Sequence, residues 1–547
     1  MQPAALHLHT YFLFPFSIDK EAVLEAHPEI WAKRQHWMEG LDEWIASHPP
    51  CFAPWRRASY TKFDMGSPAY QDMVFFHPFV RRVFFDTTGP GASKEALLRC
   101  YTIPAGEGRR IWLQAEDSKE RAAKVEVTDL RLFLFANAIG ILSVGVEASR
   151  IPLCDALWIN EAMRKVYPSS DRQIREGRTP NHVSLLVEED GQSQVVADER
   201  FEKGDMIGFQ PPLSKTITSL VYFADYESQE FEPVLDERMI VYSYVALDPA
   251  SIPPDFKDSE ECQVFLSRLL YVDQDGSSYR YEPEFLRKQM ERQVYGRWAH
   301  QGTWYGFTSY SNVTATIGTF DCDDHMLHEG FLVHRMFDRR YYLMALVALF
   351  YRATLLDYSE RTALISKRIY LDQEDGRLNP DNVRRANDLR AQFLYFTNYW
   401  HFKELANKDE EQQHFEMQCH EYRVDGMKKE IENEVESLNA SLQSHYQFRN
   451  TEAVNRLAML SLILGAGAVL TGFFGMNFGG EFAQLIFQPS SQFPFAHYLA
   501  IGLALVLSLG AIGFGVFVVA VNWHDYGVIL DPRRKADTAG GGSLRRE

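Results

Sequence analysis

The chain has 547 residues, of which 46% are hydrophobic, and 74 acidic against 56 basic residues give a net charge of −18. This length allows more than one domain, and the acidic balance argues against general nucleic-acid binding, which requires a basic face. The six cysteines are scattered and include no C-x-x-C pair, which is typical of buried thiols in a reducing cytosol. The first residues contain no basic segment followed by an apolar core, so no signal peptide is predicted.

Residues 1–335 are predicted to form a cytoplasmic α+β domain. Apolar runs predict strands at Leu6–Phe14, Val74–Phe76, Val83–Phe85, Val183–Val187, Leu220–Phe223 and Met239–Leu247. Two further runs, Leu130–Phe135 and Ile139–Val146, are separated by three residues and predict a β-hairpin. The segment Pro28–Ser47 has helical periodicity with a proline in its first turn. The polar segment Pro168–Asn181 predicts an exposed loop.

Helical patterns dominate from residue 336 onward. One helix is predicted over Tyr341–Ile369, and Asn379-Pro380 starts a second that runs towards Asp409. Residues 336–424 are therefore predicted to be cytoplasmic helices that pack on a stalk. The stalk helix begins near Asp425 and continues without a break to Phe474. From Met427 to Phe474 it would be about 70 Å long at 1.5 Å per residue.

Two long runs without charged residues follow each other near the C-terminus, Leu457–Phe474 and Tyr498–Val521. The first would cover about 27 Å as a helix, close to the thickness of the hydrocarbon core of a bilayer. Basic residues precede the first run and follow the second, so both termini are predicted to be cytoplasmic. The predicted segments are a stalk at 425–456, a first span at 457–477, an external loop at 478–497, a second span at 498–523 and a tail at 524–547.

The first span ends in Gly475-Met476-Asn477 and is followed by one more span and a basic tail. This arrangement resembles the signature of the CorA-type divalent metal cation channel and transporter family. The resemblance implies a homopentamer in the lipid bilayer of the inner membrane, with Gly475, Met476 and Asn477 as its external selectivity filter. The Asn477 side-chain carbonyl would accept hydrogen bonds from the water shell of Mg²⁺, which dehydrates reluctantly. An ordinary helix cap and turn is the alternative interpretation of these residues.

By counting back from Asn477, the resemblance also implies a set of pore-lining positions. These are Gly472, Ala468, Gly465, Leu457, Val454 and Thr451. Leu457 and Val454 fit an apolar constriction that gates by dewetting. Gly465 and Ala468 are smaller than the residues usual in the family, which leaves Mg²⁺, Zn²⁺, Co²⁺ and Ni²⁺ open as transported ions. In the loop, Glu481 either concentrates cations at the mouth or is a solvated acid.

Regulatory metal binding has two candidate locations. The resemblance implies closure by divalent ions held between cytoplasmic subunits, and Glu416 and Glu411 lie near the matching position. A solvated acidic helix face explains these residues equally simply.

The second location is the polar stretch Asp321–Glu329, where Asp323, His325 and His328 could ligate a metal. The two histidines are three residues apart and would share one face of a helix, although a polar surface loop also explains them. Elsewhere, His7 and His9 alternate on one strand face and are expected to be core or surface histidines rather than ligands.

The resulting hypothesis is a CorA-like channel or transporter for divalent cations, Mg²⁺ above all, gated by its cytoplasmic domain. The long N-terminal domain supports an alternative, a membrane effector gated by a small cytoplasmic ligand such as a nucleotide second messenger, as in the defence-associated branch of the family. A third reading, an enzyme fused to a membrane anchor, has no Walker loop, G-x-G-x-x-G, G-x-S-x-G or H-E-x-x-H motif to support it. No enzymatic activity is therefore predicted.

Overall fold

The structure, a computed structural model, covers most of the chain before the second uncharged run. It describes residues 3–475 apart from 33, 35, 60–67, 88–94, 105–107, 168–178, 201–209, 236–237, 275–280, 319–331 and 375–377, together with separate positions between 495 and 517. The chain divides into two compact units, Met1–Val435 and Glu436–Glu547. Most of the predicted loop Pro168–Asn181 and most of the predicted second span lie outside the described residues.

Strands of the first unit form one large sheet. They are β1 (Ala4–Ile18), β2 (Arg56–Arg57), β3 (Leu98–Thr102), β4 (Arg109–Glu116), β5 (Ala122–Phe135), β6 (Ile139–Pro152), β7 (His182–Glu189), β8 (Gln192–Arg200), β9 (Phe231–Pro233), β10 (Ile240–Leu247), β11 (Val294–Tyr295), β12 (Thr303–Phe307) and β13 (Ser311–Ile317). The main path runs β11-β12-β13-β10-β1-β6-β5-β4-β7-β8, with β3 beside β5, β2 beside β3 and β9 beside β1. Neighbours are antiparallel except for β10 and β13, which are parallel.

Helices flank this sheet, and the described elements after β13 are all helices. They are α1 (Lys20–Ala26), α2 (Pro28–Trp31), α3 (Leu41–Ser47), α4 (Pro68–Phe75), α5 (Pro78–Phe84), α6 (Leu153–Ala162), α7 (Lys215–Leu220), α8 (Glu260–Tyr271), α9 (Pro283–Gln293), α10 (Leu332–Met336), α11 (Tyr342–Glu374), α12 (Pro380–Tyr395), α13 (Asp409–Glu421) and α14 (Val424–Gly475). Short 3₁₀ turns occupy Trp37–Glu39, Pro249–Ser251, Phe256–Asp258 and Ala299–Gln301, and π-helical turns occupy Phe337–Tyr341 and Phe396–Trp400. An N-terminal unit that mixes strands and helices, followed by long helices, is confirmed.

The central strand β1 follows from its sequence. Aromatic and branched residues fill it, and Phe12, Phe14 and Phe16 are almost completely buried in the hydrophobic core. Both of its edges pair with other strands, β6 and β10. The predicted hairpin is also confirmed: β5 and β6 pair in antiparallel register from Glu126 to Leu134. Its turn places Ala138 in the left-handed region, with φ of 69°.

Three of the predicted strands are wrong. Val74 and Phe75 lie in α4, Val83 and Phe84 lie in α5, and the Leu220–Phe223 run covers the end of α7 and the turn after it. Each run is only three or four residues long, and periodicity cannot distinguish a strand from a helix segment at that length. The prolines that open α4 and α5 are the local signal for helix in two of these cases.

Two predicted helices have different bounds in the structure. The segment Pro28–Ser47 is broken into α2, a 3₁₀ turn and α3, because the chain folds back to stack Trp31 on Trp37 with ring centroids 5.0 Å apart. A Cβ at Gly40 would lie 2.3 Å from the Trp31 ring nitrogen, so this fold-back needs glycine there. The helix predicted to run towards Asp409 ends in the π-helical turn Phe396–Trp400, and Asp409 instead begins α13.

The remaining long helices agree with the sequence. The helix predicted at Tyr341–Ile369 is α11, and α12 begins at Pro380, where the Asn379 side chain accepts a hydrogen bond from the backbone N–H of Asp381 at 3.0 Å. The stalk helix α14 starts one residue before the predicted Asp425 and is unbroken to Gly475. Its early apolar stripe is buried at Ile431, Val435, Leu438 and Leu442.

Candidate functional site

The apolar end of α14 is exposed in the single chain. Among the described residues, one helix is long and apolar enough to cross a membrane, Val424–Val469, and none of its most apolar 18-residue window is buried. Val454 and Leu457 are 62% and 66% exposed, and Leu460, Leu464 and Val469 are exposed to a similar extent. A helix that is apolar on all sides and has no protein cover is typical of a membrane span.

The six predicted pore-lining positions all lie on this part of α14. At 3.6 residues per turn, the positions from Thr451 to Gly472 fall within a stripe about 120° wide. A Cβ added at Gly465 or Gly472 would meet nothing within 4 Å among the described atoms. The Thr451 hydroxyl donates to the Gln447 carbonyl at 2.9 Å, and the other five positions are apolar. These positions are thus aligned along one side of the helix, and their role in a pore remains a prediction.

The predicted selectivity filter is only partly visible. Gly475 is the last residue of α14, whereas Met476, Asn477 and the loop acid Glu481 lie outside the described residues. The helix therefore reaches the first residue of the Gly-Met-Asn motif.

The acidic candidates on α13 are not brought together. Glu411 is buried and has the Lys408 ammonium at 4.0 Å, whereas Glu416 is exposed and accepts a hydrogen bond from Gln412 at 3.0 Å. The two lie five positions apart, so their side chains leave the helix in different directions. The other candidates, Asp323, His325 and His328, lie outside the described residues.

The structure instead gathers three histidines that the sequence does not group. Their possible ligand nitrogens, on His7, His9 and His334, all lie within 4.8 Å of one another. His7 and His9 share one face of β1, and the helical turn α10 lays His334 over that face, where its Nε2 lies 2.8 Å from Nδ1 of His9. The alternation of His7 and His9 is visible in the sequence, but no local signal connects them to a residue more than 320 positions away.

The register of the sheet adds polar groups beside these rings. In the β1–β6 pair, Ser149 lies opposite His7 and Glu147 lies opposite His9. The Glu147 carboxylate is 3.7 Å from Nε2 of both His7 and His9, and the Ser149 hydroxyl is 3.3 Å from Nδ1 of His7. We refer to His7, His9, His334 and Glu147 as the histidine cluster.

Burial keeps the imidazoles of this cluster neutral. It lowers the pKa of His7, and burial together with the charges of His334, His7 and Arg131 lowers the pKa of His9 well below its usual value. Burial and the charge of His7 lower the pKa of His334 to about 4. Each ring therefore carries one unprotonated nitrogen at neutral pH, which is the form that ligates metals.

A separate cleft of about 510 Å³ opens between the end of β1 and helices α11 and α12. Ten charged residues line it, six acidic and four basic: Asp19, Glu21, Glu232, Asp357, Glu360, Asp388, Lys20, Arg361, Arg368 and Arg385. Because acids outnumber bases, the cleft offers no electrostatic preference for an anion such as a nucleotide.

Comparison with known proteins bears on the C-terminal part of the chain. Residues 382–517 match the family described as CorA-like Mg²⁺ transporter protein, a stretch that includes most of α12, all of α13 and α14, and much of the second uncharged run. No match was found among curated proteins. One similar solved structure is the complete structure of the CorA magnesium transporter from Methanocaldococcus jannaschii, at 13% identity over 51% of this chain and 91% of that one. Its TM-score of 0.21 is too low to establish a shared overall fold. Residues 382–517, about a quarter of the chain, are thus similar to the CorA-like Mg²⁺ transporter family.

Proposed function

We propose that the chain carries divalent cations, Mg²⁺ above all, across the inner membrane as a CorA-like homopentameric channel. The observation that carries this proposal is the family match at 382–517. The matched stretch includes α14, whose apolar end is exposed and stops at the first residue of Gly-Met-Asn. In this arrangement 457–477 and 498–523 cross the bilayer, 478–497 is external, and both termini are cytoplasmic.

Selection takes place at the external mouth. A ring of five Asn477 side chains presents amide oxygens to the waters around the ion, so the ion keeps its shell. Gly475 permits close approach of the helices and Met476 packs behind the ring. Glu481 raises the local concentration of cations outside the mouth.

The pore then narrows towards the cytoplasm. Val454 and Leu457, three residues apart on the stripe of α14, form an apolar constriction that stays dry when the helices are close together. Thr451, Gly465, Ala468 and Gly472 line the rest of the path, and the small residues in its middle give it a wide cross-section.

Gating reaches the pore through α14, which is one continuous helix from Val424 to Gly475. A regulatory divalent ion between subunits would use exposed carboxylates, and of the two candidate acids, Glu411 and Glu416, only Glu416 is exposed in the single chain. Because the charged cleft has no preference for anions, gating by a nucleotide is not part of this proposal.

The test is uptake of Mg²⁺ into proteoliposomes that contain the wild type, Asn477→Ala or Asn455→Ala, with a Mg²⁺-sensitive dye inside. Asn455 is the matched control because it is exposed on α14 and lies outside the stripe. Each amide hydrogen bond contributes about 0.5–1.5 kcal/mol. Loss of the ring should therefore reduce the rate of uptake, or the preference for Mg²⁺ over Ca²⁺, by at least about tenfold, since 1.4 kcal/mol corresponds to tenfold.

Equal uptake by all three proteins would contradict the assignment of Asn477 to the mouth. No flux of Mg²⁺, Zn²⁺, Co²⁺ or Ni²⁺ by the wild type, even with internal metal chelated, would contradict the proposed transport.

A further inference from the structure

The histidine cluster lies in the N-terminal unit and has no part in the proposed pore. We propose that His7, His9 and His334 form a binding site for one transition-metal ion of the Zn²⁺ class, with Glu147 as an outer-shell partner or fourth ligand. This inference concerns the described residues of Met1–Val435 and does not depend on the proposed transport.

Geometry is the first argument. Ligand nitrogens around a tetrahedral Zn²⁺ at about 2.0–2.1 Å are roughly 3.3 Å apart. The three histidines present their ligand atoms within 4.8 Å of one another without an ion, so the largest adjustment is about 1.5 Å. Rotation of the half-buried rings of His7 and His334 can supply it, while His9 is held 3% exposed in the sheet.

The supporting groups are arranged as a metal site requires. His7 can ligate through Nε2 because the Ser149 hydroxyl lies beside its Nδ1. Nδ1 of His9 and Nε2 of His334 share a hydrogen bond at 2.8 Å, which would open so that both nitrogens ligate the ion. The ring proton of His9 would then lie on Nε2, which faces Glu147. A carboxylate behind a ligating histidine fixes the ring and raises its basicity.

The local charge also favours a cation. The Glu147 carboxylate lies 3.7 Å from two of the histidine rings, and the Asp338 carboxylate accepts a hydrogen bond from Tyr11, whose ring lies against His9. Arg131 is the buried base among them, and its nearest acid oxygen is on Asp129 at 2.5 Å. A divalent ion beside Glu147 would offset the remaining negative charge.

The donor set defines the class of ion. Three imidazole nitrogens suit Zn²⁺, Cu²⁺, Ni²⁺ and Co²⁺, whereas Mg²⁺ requires oxygen ligands and an octahedral shell. Aromatic rings lie next to the histidines. The ring centroid of His9 is 4.7 Å from that of Tyr11 and 5.6 Å from that of Phe337. The ring centroid of His334 is 5.1 Å from that of Tyr244. These rings limit access of water to the site.

The experiment measures metal retained by the full-length protein in detergent. Wild type, His9→Gln, His334→Gln and Glu147→Gln are loaded with Zn²⁺, dialysed against a weak chelator and analysed for zinc per chain. His414→Gln is the matched control, because His414 is equally buried but is surrounded by Tyr295, Tyr305, Phe307 and Tyr341 rings. Asn477→Ala is included to account for zinc held in the pore.

The expected result is one more Zn²⁺ per chain in the wild type, His414→Gln and Asn477→Ala proteins than in His9→Gln or His334→Gln. Loss of an outer-shell partner typically weakens metal affinity about 10–100-fold, so Glu147→Gln should show a loss of that size in a titration with Co²⁺. The visible absorption of bound Co²⁺ should disappear in the histidine variants and be unaffected by excess Mg²⁺.

Equal zinc retention by the wild type and all the histidine variants would overturn the site. His7→Gln provides a second test if His9→Gln does not fold, because the His7 side chain lies nearer the surface at 13% exposure. A His7→Gln protein that folds and keeps the full complement of zinc would likewise reject the proposal. Failure of ion transport in proteoliposomes would leave this result unchanged.

Discussion

Apolar side chains are buried in the N-terminal unit and exposed at the apolar end of α14. Ile431 and Val435 are 2% and 5% exposed, whereas Val454 and Leu457, on the same helix, are 62% and 66% exposed. Apolar side chains of the first region are covered by their own chain. Those of the second need lipid or further copies of the chain, because exposing so much apolar surface to water is unfavourable. The two ends of α14 are therefore suited to different surroundings, the early part to a protein interior and the apolar part to lipid or to other copies of the chain.

The largest expected effect comes from truncating a buried apolar side chain of α14 to alanine, compared with truncating an exposed one. Ile431→Ala should lower the free energy of unfolding of the N-terminal unit by about 2–5 kcal/mol, because it leaves a cavity in a packed interior. Val454→Ala should change it by less than about 0.5 kcal/mol. Tryptophan fluorescence during urea unfolding in detergent reports on this unit, since nine of the ten tryptophans lie within it.

This comparison can fail in two ways. A small effect of Ile431→Ala would mean that the early stripe is not buried as the structure has it. A loss above about 1 kcal/mol for Val454→Ala would mean that another copy of the chain packs on this residue, since exposed substitutions rarely cost that much.

Acid should also separate the two regions. Burial lowers the pKa of His414 to about 3 and, with the charge of Lys428, lowers the pKa of His401 to about 4. In the unfolded chain both titrate near 6.5, so the unfolded state binds more protons below that pH. The stability that the neutral rings contribute is present above pH 6.5 and is lost as the pH falls towards 3.

The measurement is unfolding of the N-terminal unit at pH 7, 6, 5 and 4. We expect His414 to contribute up to about 1.4 kcal/mol per pH unit to the slope, and His414→Gln to remove that part. Residues 446–475 contain no histidine, so the helical circular dichroism signal of this segment should persist where the unit has unfolded. An unchanged slope in His414→Gln would show that this ring is not buried and neutral.

The same contrast explains what the sequence could predict. The strand β1, the β5–β6 hairpin and α14 were predictable because their patterns are long and local. The long apolar end of α14 was predictable from the absence of charge alone. Its Gly-Met-Asn motif indicated a resemblance to the CorA-like family, and residues 382–517 match the model of that family.

What the sequence missed depends on contacts between distant residues. The break at Gly40 follows from the stacking of Trp31 on Trp37, and the strand predicted at Val83–Phe85 is wrong because Pro78 begins a helix. The meeting of His334 with β1 depends on strand register and on the placement of α10, neither of which any local pattern encodes. Packing of this kind overrides short-range propensity.

The smallest expected effect concerns the start of α12 in the N-terminal unit, where a side chain caps a backbone N–H group. Asn379 precedes α12, and its side-chain Oδ1 accepts a hydrogen bond from the backbone N–H of Asp381. Asn379→Ala leaves that donor without its cap and should lower the free energy of unfolding by about 1 kcal/mol. Asn379→Asp keeps an acceptor at the same place and adds a favourable charge at the helix start, so it should restore stability. If alanine and aspartate gave the same stability in urea unfolding, the cap would not stabilise this helix.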